Sequence, residues 1–380
     1  MNFLKTKFRS YYLHPSIEFP KRFDRREYAF ILFGEGTMHR HISFSSKENL
    51  LTYLHLKSPA HVYYSSAYYR NPSAGTMKEK EWMGADLIFD MDADHIAGAS
   101  KMTYEEMLLK VKEELKKLLS FLMDDFGFRK RDIRIYFSGG RGYHCHVSHP
   151  DVIHLGSQER REIVDYITGR GLNIKEIVRE RSIQREYFAD KTLEINPNKG
   201  GWEGRIARGI IDFLKEISEM DRNKAIEVLM EMDGVGEKTA SSLYDSLTEE
   251  RIRRLENGKM DQSTEFRRIA QPLIKKLSVS MHGSTDEPVT ADIKRLIRLP
   301  GSLHGKTGLK VTAVDIEKID EFNPLRDAVV FGEEIIKVEV KRAVEIKMMD
   351  NEFKLEKGVH ELPEYLAVFL VARKMGEVSQ

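Results

Sequence analysis

The chain has 380 residues, enough for two or three domains with an extensive apolar core. Lys and Arg together number 61 and Asp and Glu 60, so the net charge of +1 indicates no general affinity for nucleic acids or membranes. The single cysteine, Cys145, excludes a disulfide framework and an all-cysteine zinc site. No apolar stretch is long enough for a signal peptide or a membrane-spanning helix, which predicts a soluble, intracellular (cytoplasmic) protein.

The first part of the chain has the pattern of strands around one long helix. Apolar and aromatic runs predict strands at 27–33 and 61–64. Apolar side chains at helical spacing predict an amphipathic helix over 103–126. Two further strands are predicted at 132–137 and 143–147. This β–α–β order places functional groups at strand ends, where α/β enzymes usually carry their chemistry.

The middle of the chain has a different composition. Dense, charge-patterned helices over 204–262 lie between glycine-rich turns and predict a helical insertion. Strand and helix patterns resume after it, with strands at 308–314, 335–339 and 343–348 and a closing helix over 363–374. The predicted organisation is therefore a discontinuous domain, 1–203 and 263–380, interrupted by a helical subdomain at 204–262.

Carboxylates alternate at the end of an apolar strand within 86–95. Side chains two residues apart in a strand face the same way, so Asp90 and Asp92 lie about 6.6 Å apart at Cα, and Asp94 continues the row if the strand continues. Charged groups at this spacing repel one another unless they are neutralised, and a divalent cation is the obvious candidate. A strand that runs into a solvated acidic loop is the competing interpretation, because a lone Asp-x-Asp is a weak signal.

A glycine-rich segment, 138–144, follows the strand predicted at 132–137. Its three glycines allow backbone N–H groups to surround an anion, and the Ser138 hydroxyl, Arg141 guanidinium and His144 imidazole all suit a phosphate. The alternative is a glycine-rich hairpin turn with an incidental arginine, since such patterns are common.

A third segment, 286–308, combines an acidic residue, basic residues and a tight turn. Asp286 precedes a predicted amphipathic helix that carries Lys294, Arg295 and Arg298. A Pro-Gly turn then leads to a loop suited to a triphosphate, with Ser302, His304 and Lys306. Taken alone, the helix is equally well explained as a solvated basic face.

Together the three segments indicate phosphoryl transfer. Three aspartates and two basic, glycine-rich turns suit a two-metal site with ions about 3.5–4 Å apart. The segments resemble the signature motifs of the archaeal–eukaryotic primase family, small catalytic subunit: a hydrophobic-Asp-x-Asp strand, a Ser-Gly-x-Arg-Gly-x-His loop, and an Asp followed by Pro-x-Ser-x-His-x-Lys-Thr-Gly. Order and spacing agree, with Asp286 lying 18 residues before His304. The flanking sequences at 63–69 and 80–86 are also similar.

The resemblance implies an α+β fold, a mixed-sheet catalytic core with a helical insertion, and a set of site residues. It implies that two Mg²⁺ or Mn²⁺ ions are held by the catalytic carboxylates of Asp90, Asp92 and Asp286. It also implies that the triphosphate of the incoming nucleotide is held by Ser138, Arg141, His144, Arg298, His304 and Lys306.

The implied activity is template-directed synthesis of short RNA, or mixed RNA/DNA, primers on single-stranded DNA, with release of pyrophosphate, for DNA replication. The implied partners are a larger regulatory primase subunit, the single-stranded template, and NTPs or dNTPs, at the replication fork of the nucleoid. The alternatives are a repair-type primase–polymerase, a phosphatase of the haloacid dehalogenase kind, which also ends a strand in Asp-x-Asp, and an inactive nucleic-acid-binding subunit.

One departure from the family pattern concerns zinc. Many members carry a zinc-binding knob of Cys and His just after the first motif, whereas residues 95–106 contain no cysteine. A tetrahedral site needs more ligands than His95 and the distant Cys145 can supply. No structural zinc is therefore expected.

Within the helical insertion, residues 232–240 resemble a helix–hairpin–helix turn. In such a turn Gly234 and Gly236 expose backbone N–H groups at a helix start, and Lys238 adds a charge, for a sequence-independent contact with a DNA backbone. An ordinary Gly-Val-Gly turn between packed helices explains the same residues equally well.

Overall fold

The computed structural model describes residues 2–93, 102–172, 180–185, 188–193, 196–258, 264–281 and 286–379. Helices and sheets are both present, which confirms the predicted α+β class. Strand pairing among the described residues is antiparallel throughout, so the mixed sheet that the resemblance implied is not found among them. The strands are β1 (Tyr28–Ile31), β2 (Met38–Ile42), β3 (His61–Ser65), β4 (Ala67–Tyr69), β5 (Trp82–Ala85), β6 (Leu87–Asp92), β7 (Ile133–Phe137), β8 (Gly142–Val147), β9 (Glu180–Arg185), β10 (Phe188–Leu193), β11 (Leu296–Arg298), β12 (Thr312–Val314), β13 (Ile335–Val340), β14 (Val344–Met348), β15 (Asn351–Leu355), β16 (Gly358–Pro363) and β17 (Gly376–Val378).

The helices alternate with these strands and differ widely in length. In the described part of the chain none is both long and apolar enough to cross a membrane. The helices are α1 (Asn2–Tyr11), α2 (Lys47–Lys57), α3 (Met77–Lys80), α4 (Tyr104–Ser120), α5 (Pro150–Ile153), α6 (Ser157–Ile167), α7 (Gly201–Glu219), α8 (Arg222–Met230), α9 (Glu237–Ser246), α10 (Glu249–Glu256), α11 (Thr264–Met281), α12 (Glu287–Ala291), α13 (Pro324–Asp327) and α14 (Glu364–Ala372).

The chain divides into two compact units. The first comprises Met1–Lys116, Phe128–Val164 and Ser284–Gln380, and the second comprises Lys117–Gly127 and Asp165–Gly283. Helices α7 to α11 and the hairpin β9–β10 belong to the second unit. The division of the chain into a catalytic domain and an inserted subdomain remains a prediction.

Two four-stranded sheets organise the first unit, in the orders β11-β3-β1-β2 and β12-β7-β8-β6. In the second of these sheets β8 lies between β6 and β7 and is antiparallel to both, so β6 and β7 run in the same direction. Ile88 of β6 belongs to the same apolar core as residues of β1, β3 and β11. The core residues are Phe8, Tyr12, Tyr28, Phe30, Leu50, Leu54, Val62, Tyr64, Ile88, Ile297, Leu299 and Leu303.

A buried polar network fixes the start of β6. The Arg26 guanidinium donates to the Asp86 carboxylate at 2.6 Å, and the hydroxyls of Tyr68 and Ser148 donate to the same carboxylate. Arg160 donates to the main-chain oxygen of Asp86 at 2.8 Å. The side chains of Arg26 and Arg160 are almost fully buried, and buried charges require partners of this kind. The network therefore holds the strand that continues to the two predicted metal-binding aspartates.

Most of the predicted elements are confirmed, with ends shifted by a few residues. The helix predicted over 103–126 is α4, extended by a π-helical turn at Phe121–Asp125. The closing helix predicted over 363–374 is α14, which is buried along most of its length. The predicted strands correspond to β1, β3, β7, β8, β12, β13 and β14.

The prediction of a basic helix after Asp286 is wrong. Helix α12 has only five residues and ends at Ala291. The carboxylate of the next residue, Asp292, accepts a hydrogen bond from the Lys294 N–H at 2.8 Å. This local side-chain bond competes with continuation of the helix. The chain then forms β11, whose backbone groups pair with β3. Arg295 therefore precedes a strand, and Arg298 ends it.

The second unit is mainly helical. Helix α7 buries one apolar face along its length, including Trp202, Ile210 and Leu214. The Arg205 guanidinium, on the same helix, donates to the Asp125 carboxylate at 2.7 Å. Strands β9 and β10 form a two-stranded antiparallel hairpin in this unit.

Candidate active site

Strand β6 changes from apolar to acidic along its length. Its first three residues are buried, and the strand ends at Asp92. The neighbouring strand β8 places His144 opposite Asp90, and Gly142 opposite Asp92. The His144 Nε2 and Asp90 Oδ1 atoms lie 3.6 Å apart. The first two sequence motifs are therefore neighbours on one sheet.

A backbone hydrogen bond brings Asp286 to the same strand. Its N–H donates to the Asp90 carbonyl oxygen at 3.0 Å, and its carboxylate caps α12 by accepting from the Val289 N–H. Burial raises the pKa of Asp90 to about 6, and the charges of Asp92 and Asp286 add to that effect. The carboxylates of Asp92 and Asp286 thus lie close enough to disfavour the ionisation of Asp90.

The glycines of the loop at 138–142 allow other segments to approach closely. A methyl group on Gly142 would lie 2.1 Å from the Met91 carbonyl oxygen. A methyl group on Gly139 would lie 2.8 Å from the Cβ of His304. The glycines therefore let the loop pack tightly against β6 and the His304 turn. The sequence predicted only that these glycines surround an anion and did not predict this packing role.

Arg298 lies at the end of β11, against an aromatic ring and an imidazole. Pairing with β3 puts Arg298 opposite Tyr63, and the guanidinium lies 5.1 Å from the centre of that ring. Its Nη1 lies 2.8 Å from the Nδ1 of His61. Burial, and then the charge of Arg298, lowers the pKa of His61 to about 3, so this imidazole is neutral and accepts the hydrogen bond. The cationic group is thereby held in one orientation.

The turn after β11 presents His304. Gly301, at φ +84°, sits where a methyl group would lie 2.0 Å from a main-chain oxygen, so only glycine fits. The Thr307 hydroxyl donates to the Gly139 carbonyl oxygen and joins this turn to the glycine-rich loop. Burial, and then the nearby Arg298 charge, holds the pKa of His304 well below its usual range, so its imidazole is neutral.

A cavity of about 550 Å³ lies among these segments. One carboxylate and five cationic side chains line it, from Asp92, Arg141, Arg298, Lys306, Arg373 and Lys374. Its volume and charge suit a polyphosphate. Sequence reasoning missed Arg373 and Lys374, because they follow a buried apolar helix and no pattern around them resembles a phosphate-binding loop.

The cavity brings together only part of the predicted site. The predicted residues that line it are Asp92, Arg141, Arg298, His304 and Lys306. In the described part of the chain, four others lie beside it rather than on its surface, namely Asp90, Asp286, Ser138 and His144. Ser138 and His144 are buried, and the Ser138 hydroxyl accepts a hydrogen bond from the Gly140 N–H at 3.2 Å.

The charges of Asp90, Asp92 and Asp286 suit a divalent ion, but these carboxylates do not by themselves form a complete coordination shell. Within the described residues, no three carboxylate, imidazole or thiolate groups converge as they would around a metal ion. Mg²⁺ usually takes one or two protein carboxylates and completes its shell with water and substrate phosphates. Burial, and then the carboxylates of Asp92 and Asp286, raises the pKa of Asp90, and a bound divalent cation would oppose this effect. Asp94 and most of the segment expected to lack a zinc knob lie outside the described residues.

The predicted helix–hairpin–helix turn connects α8 to α9. Gly234 has a φ of +77°, Val235 is buried, and Gly236 caps the start of α9. Lys238 is exposed in the first turn of that helix, next to the acidic Glu237. The geometry is that of a tight connection between two packed helices, and a contact with DNA stays a prediction.

Comparison with known proteins agrees with this geometry. The family model described as DNA primase small subunit matches residues 89–316. The DNA primase small subunit PriS of Methanococcoides burtonii is 44% identical, over 99% of this chain and 97% of its own length. The corresponding proteins of Methanothrix thermoacetophila (43%; 99% and 98%) and Archaeoglobus fulgidus (42%; 98% and 96%) are similarly close. The chain therefore belongs to the family of DNA primase small subunits, of the archaeal type.

Proposed function

We propose that this chain is the catalytic subunit of a DNA primase and makes short RNA, or mixed RNA/DNA, primers on single-stranded DNA for replication. The supporting observation is the cationic cavity that contains Asp92, in a chain whose relatives are DNA primase small subunits. The reaction is nucleotidyl transfer. The 3′-hydroxyl oxygen of one nucleotide bonds to the α-phosphorus of the next, the bond to the β-phosphate breaks, and pyrophosphate leaves.

Primases generally use divalent metal ions. We propose that two Mg²⁺ or Mn²⁺ ions are held here by Asp90, Asp92 and Asp286. When bound, such ions would stabilise the attacking and leaving oxygens of an in-line displacement. The protein contributes by holding the carboxylates together, through strand β6 and the backbone hydrogen bond from Asp286 to Asp90.

The triphosphate would lie among the cationic residues of the cavity. Tyr63 and His61 orient the Arg298 guanidinium, so its forked donors are available without further ordering. The His304 Nδ1 accepts a hydrogen bond from the Lys306 N–H at 3.3 Å, which leaves the proton on Nε2. A neutral donor at that position can bind a phosphate oxygen.

The remaining predicted phosphate ligands have different surroundings. Arg141 and Lys306 line the cavity and can reach a phosphate directly. Ser138 and His144 are buried beside the cavity. We propose that, until substrate is bound, Ser138 holds the glycine-rich loop through the Gly140 N–H and His144 holds the Asp90 carboxylate.

The matched proteins are named small subunits, which implies a larger partner. We propose a heterodimer with a large regulatory subunit, acting on a single-stranded DNA template with NTPs or dNTPs. We also propose that residues 204–262 form a helical subdomain inserted in a catalytic domain of 1–203 and 263–380.

The decisive experiment is primer synthesis on single-stranded DNA with Mg²⁺ or Mn²⁺, comparing the wild type with Asp92→Asn. The neutral amide is a poorer ligand for a divalent ion, so activity should fall by about 100-fold or more. Asp151→Asn, a change at an exposed carboxylate outside the cavity, should leave activity unchanged. Full activity in Asp92→Asn would refute the metal-ligand assignment.

The same assay separates polymerisation from hydrolysis. Release of pyrophosphate with template-dependent extension supports the primase, whereas release of orthophosphate supports the phosphatase alternative. The family match and the relatives favour the primase.

A second proposal concerns the turn between α8 and α9. If Gly234, Gly236 and Lys238 contact a DNA backbone, Lys238→Glu should weaken single-stranded DNA binding and flatten its salt dependence. Lys224→Glu, at an exposed position on α8, is the matched control. Equal affinities for the two variants at every salt concentration would exclude the contact.

A further inference from the structure

Two basic residues reach the cavity from near the C-terminal end of the chain. Arg373 and Lys374 directly follow α14 and line the same cavity as Asp92 and Arg141. Neither belongs to the sequence motifs from which the site was predicted. Lys374 is exposed and forms no ion pair with any residue that the structure describes.

The backbone at Lys374 has a conformation that disfavours a lysine. Its φ of +60° lies in the left-handed region, which glycine usually supplies at helix ends. Its N–H donates to the Val371 carbonyl oxygen at 3.1 Å, and the Met375 N–H donates to that of Leu370 at 2.9 Å. This is a Schellman-type helix end, in which glycine would be the more stable residue. The presence of a lysine at this position therefore indicates that its side chain has a function.

The turn that carries these residues is anchored on both sides. Helix α14 is buried before it, and strand β17 after it pairs with β13. A methyl group on Gly376 would lie 2.6 Å from the Val338 Cγ1, so the strand packs closely. The Met375 carbonyl oxygen accepts a hydrogen bond from the Lys341 N–H at 2.9 Å. The two basic side chains are thus presented by a fixed turn.

An aromatic ring places Arg373 against the glycine-rich loop. The Arg373 guanidinium lies 4.8 Å from the centre of the Tyr104 ring. The hydroxyl of that tyrosine donates a hydrogen bond to the Gly140 carbonyl oxygen. The arginine is therefore oriented by the residue that also fixes the loop carrying Arg141.

Arg141 and Arg373 line the same cavity, and their charges repel each other. Burial, and then the charge of Arg141, lowers the pKa of Arg373. A bound anion would relieve the repulsion between the two arginines.

We propose that Arg373 and Lys374 bind the terminal phosphate of the incoming nucleoside triphosphate. This inference rests on the function proposed above. In that reaction the α-phosphate must lie at the aspartates, so the β- and γ-phosphates extend along the cationic lining of the cavity, which includes Arg373 and Lys374. The two residues are then binding residues that distinguish a triphosphate from a diphosphate.

The test measures equilibrium binding of ATP and ADP, with Mg²⁺, to the full chain and to Lys374→Gly. Loss of one charged contact to phosphate should weaken ATP binding about tenfold and leave ADP binding unchanged. The same variant should unfold at a higher denaturant concentration than the wild type, because glycine relieves the left-handed conformation. A merely structural role would instead weaken both ligands together. Arg373→Met should have a similar effect on the ATP-to-ADP ratio.

Two controls isolate the effect. Asp350→Gly relieves another left-handed residue, at φ +63°, outside the cavity and should leave ATP binding unchanged. Lys337→Ala removes an exposed charge from β13, also outside the cavity, and should likewise leave ATP binding unchanged.

Three results would overturn the inference. In the first, Lys374→Gly binds ATP as tightly as the wild type. In the second, it loses affinity for ATP and ADP equally. In the third, it loses affinity for single-stranded DNA alone, which would assign the residues to the nucleic acid. A wild-type chain that binds no ATP would overturn the proposed function, and this inference with it.

Discussion

Arg26→Met should destabilise the first unit strongly, because it leaves the Asp86 carboxylate buried without its counter-charge. Asp86 is 4% exposed, and the Arg26 guanidinium lies 2.6 Å from it. Removing one partner of a buried ion pair costs about 3–5 kcal/mol. The same arginine also donates to the main-chain oxygens of Ser65 and Ser66 at 2.8 and 2.7 Å. The Ser66 oxygen keeps a hydrogen bond from the Asp86 N–H at 3.0 Å, so loss of the two Arg26 bonds adds only about 1 kcal/mol.

The chain offers a direct assay for this effect. It contains two tryptophans, Trp82 in the first unit and Trp202 in the second. In a Trp202→Phe background, fluorescence of Trp82 during denaturant unfolding reports on the unit that contains the ion pair. The expected result is a free energy of unfolding lower by about 4–6 kcal/mol in Arg26→Met.

Two comparisons test the cause. Lys354→Met breaks the exposed ion pair with Glu345, at 2.9 Å, and should barely change the free energy of unfolding, because a surface ion pair adds little stability. Adding Asp86→Leu to Arg26→Met should cost less than the sum of the two single changes, because the uncompensated charge is gone. A loss in Arg26→Met no larger than that in Lys354→Met would refute the buried-pair reasoning.

Two further predictions concern the same part of the fold. Burial alone would raise the pKa of Asp86, but the charge of Arg26 and the Tyr68 hydroxyl hold it below its usual range. The ionised Asp86 carboxylate therefore stabilises the fold above the pKa that this group has in the unfolded chain, and the stabilisation is lost as the pH falls through its pKa in the folded chain. Asp86→Asn should make acid unfolding, followed by Trp82 fluorescence, less dependent on pH. An unchanged pH dependence would contradict the assignment. Gly142→Ala should cost more than about 3 kcal/mol in denaturant unfolding, because its methyl would lie 2.1 Å from the Met91 oxygen, whereas Gly75→Ala meets open space and should be nearly neutral.

Local patterns were sufficient for the first two motifs. The apolar run and the alternating Asp90 and Asp92 specify strand β6, since side-chain direction alternates in any strand. The helix α4 also follows from its periodic apolar residues. The proximity of Asp286 to Asp90 was inferred from the family resemblance, and the backbone hydrogen bond between them supplies the physical basis.

The third motif shows where local patterns fail. Residues 293–299 have apolar side chains near helical spacing. The Lys294 N–H nevertheless donates a hydrogen bond to the Asp292 carboxylate, which competes with continuation of the helix. The backbone of β11 then pairs with β3, a partner far away in sequence. Periodicity cannot report which distant strand will satisfy those backbone groups, so the strand that positions Arg298 was missed.

The sequence by itself determined the α+β class, the carboxylate strand and the residue types that suit a metal ion and a phosphate. Only the tertiary structure decided which of these residues share a cavity, and it added Arg373 and Lys374 to them. The physical reason is that side-chain alternation and helical periodicity are local properties, whereas a cavity forms where separate segments pack together. Tyr104 makes the point, since it contacts both Arg373 and the loop at Gly140 although the three are far apart along the chain.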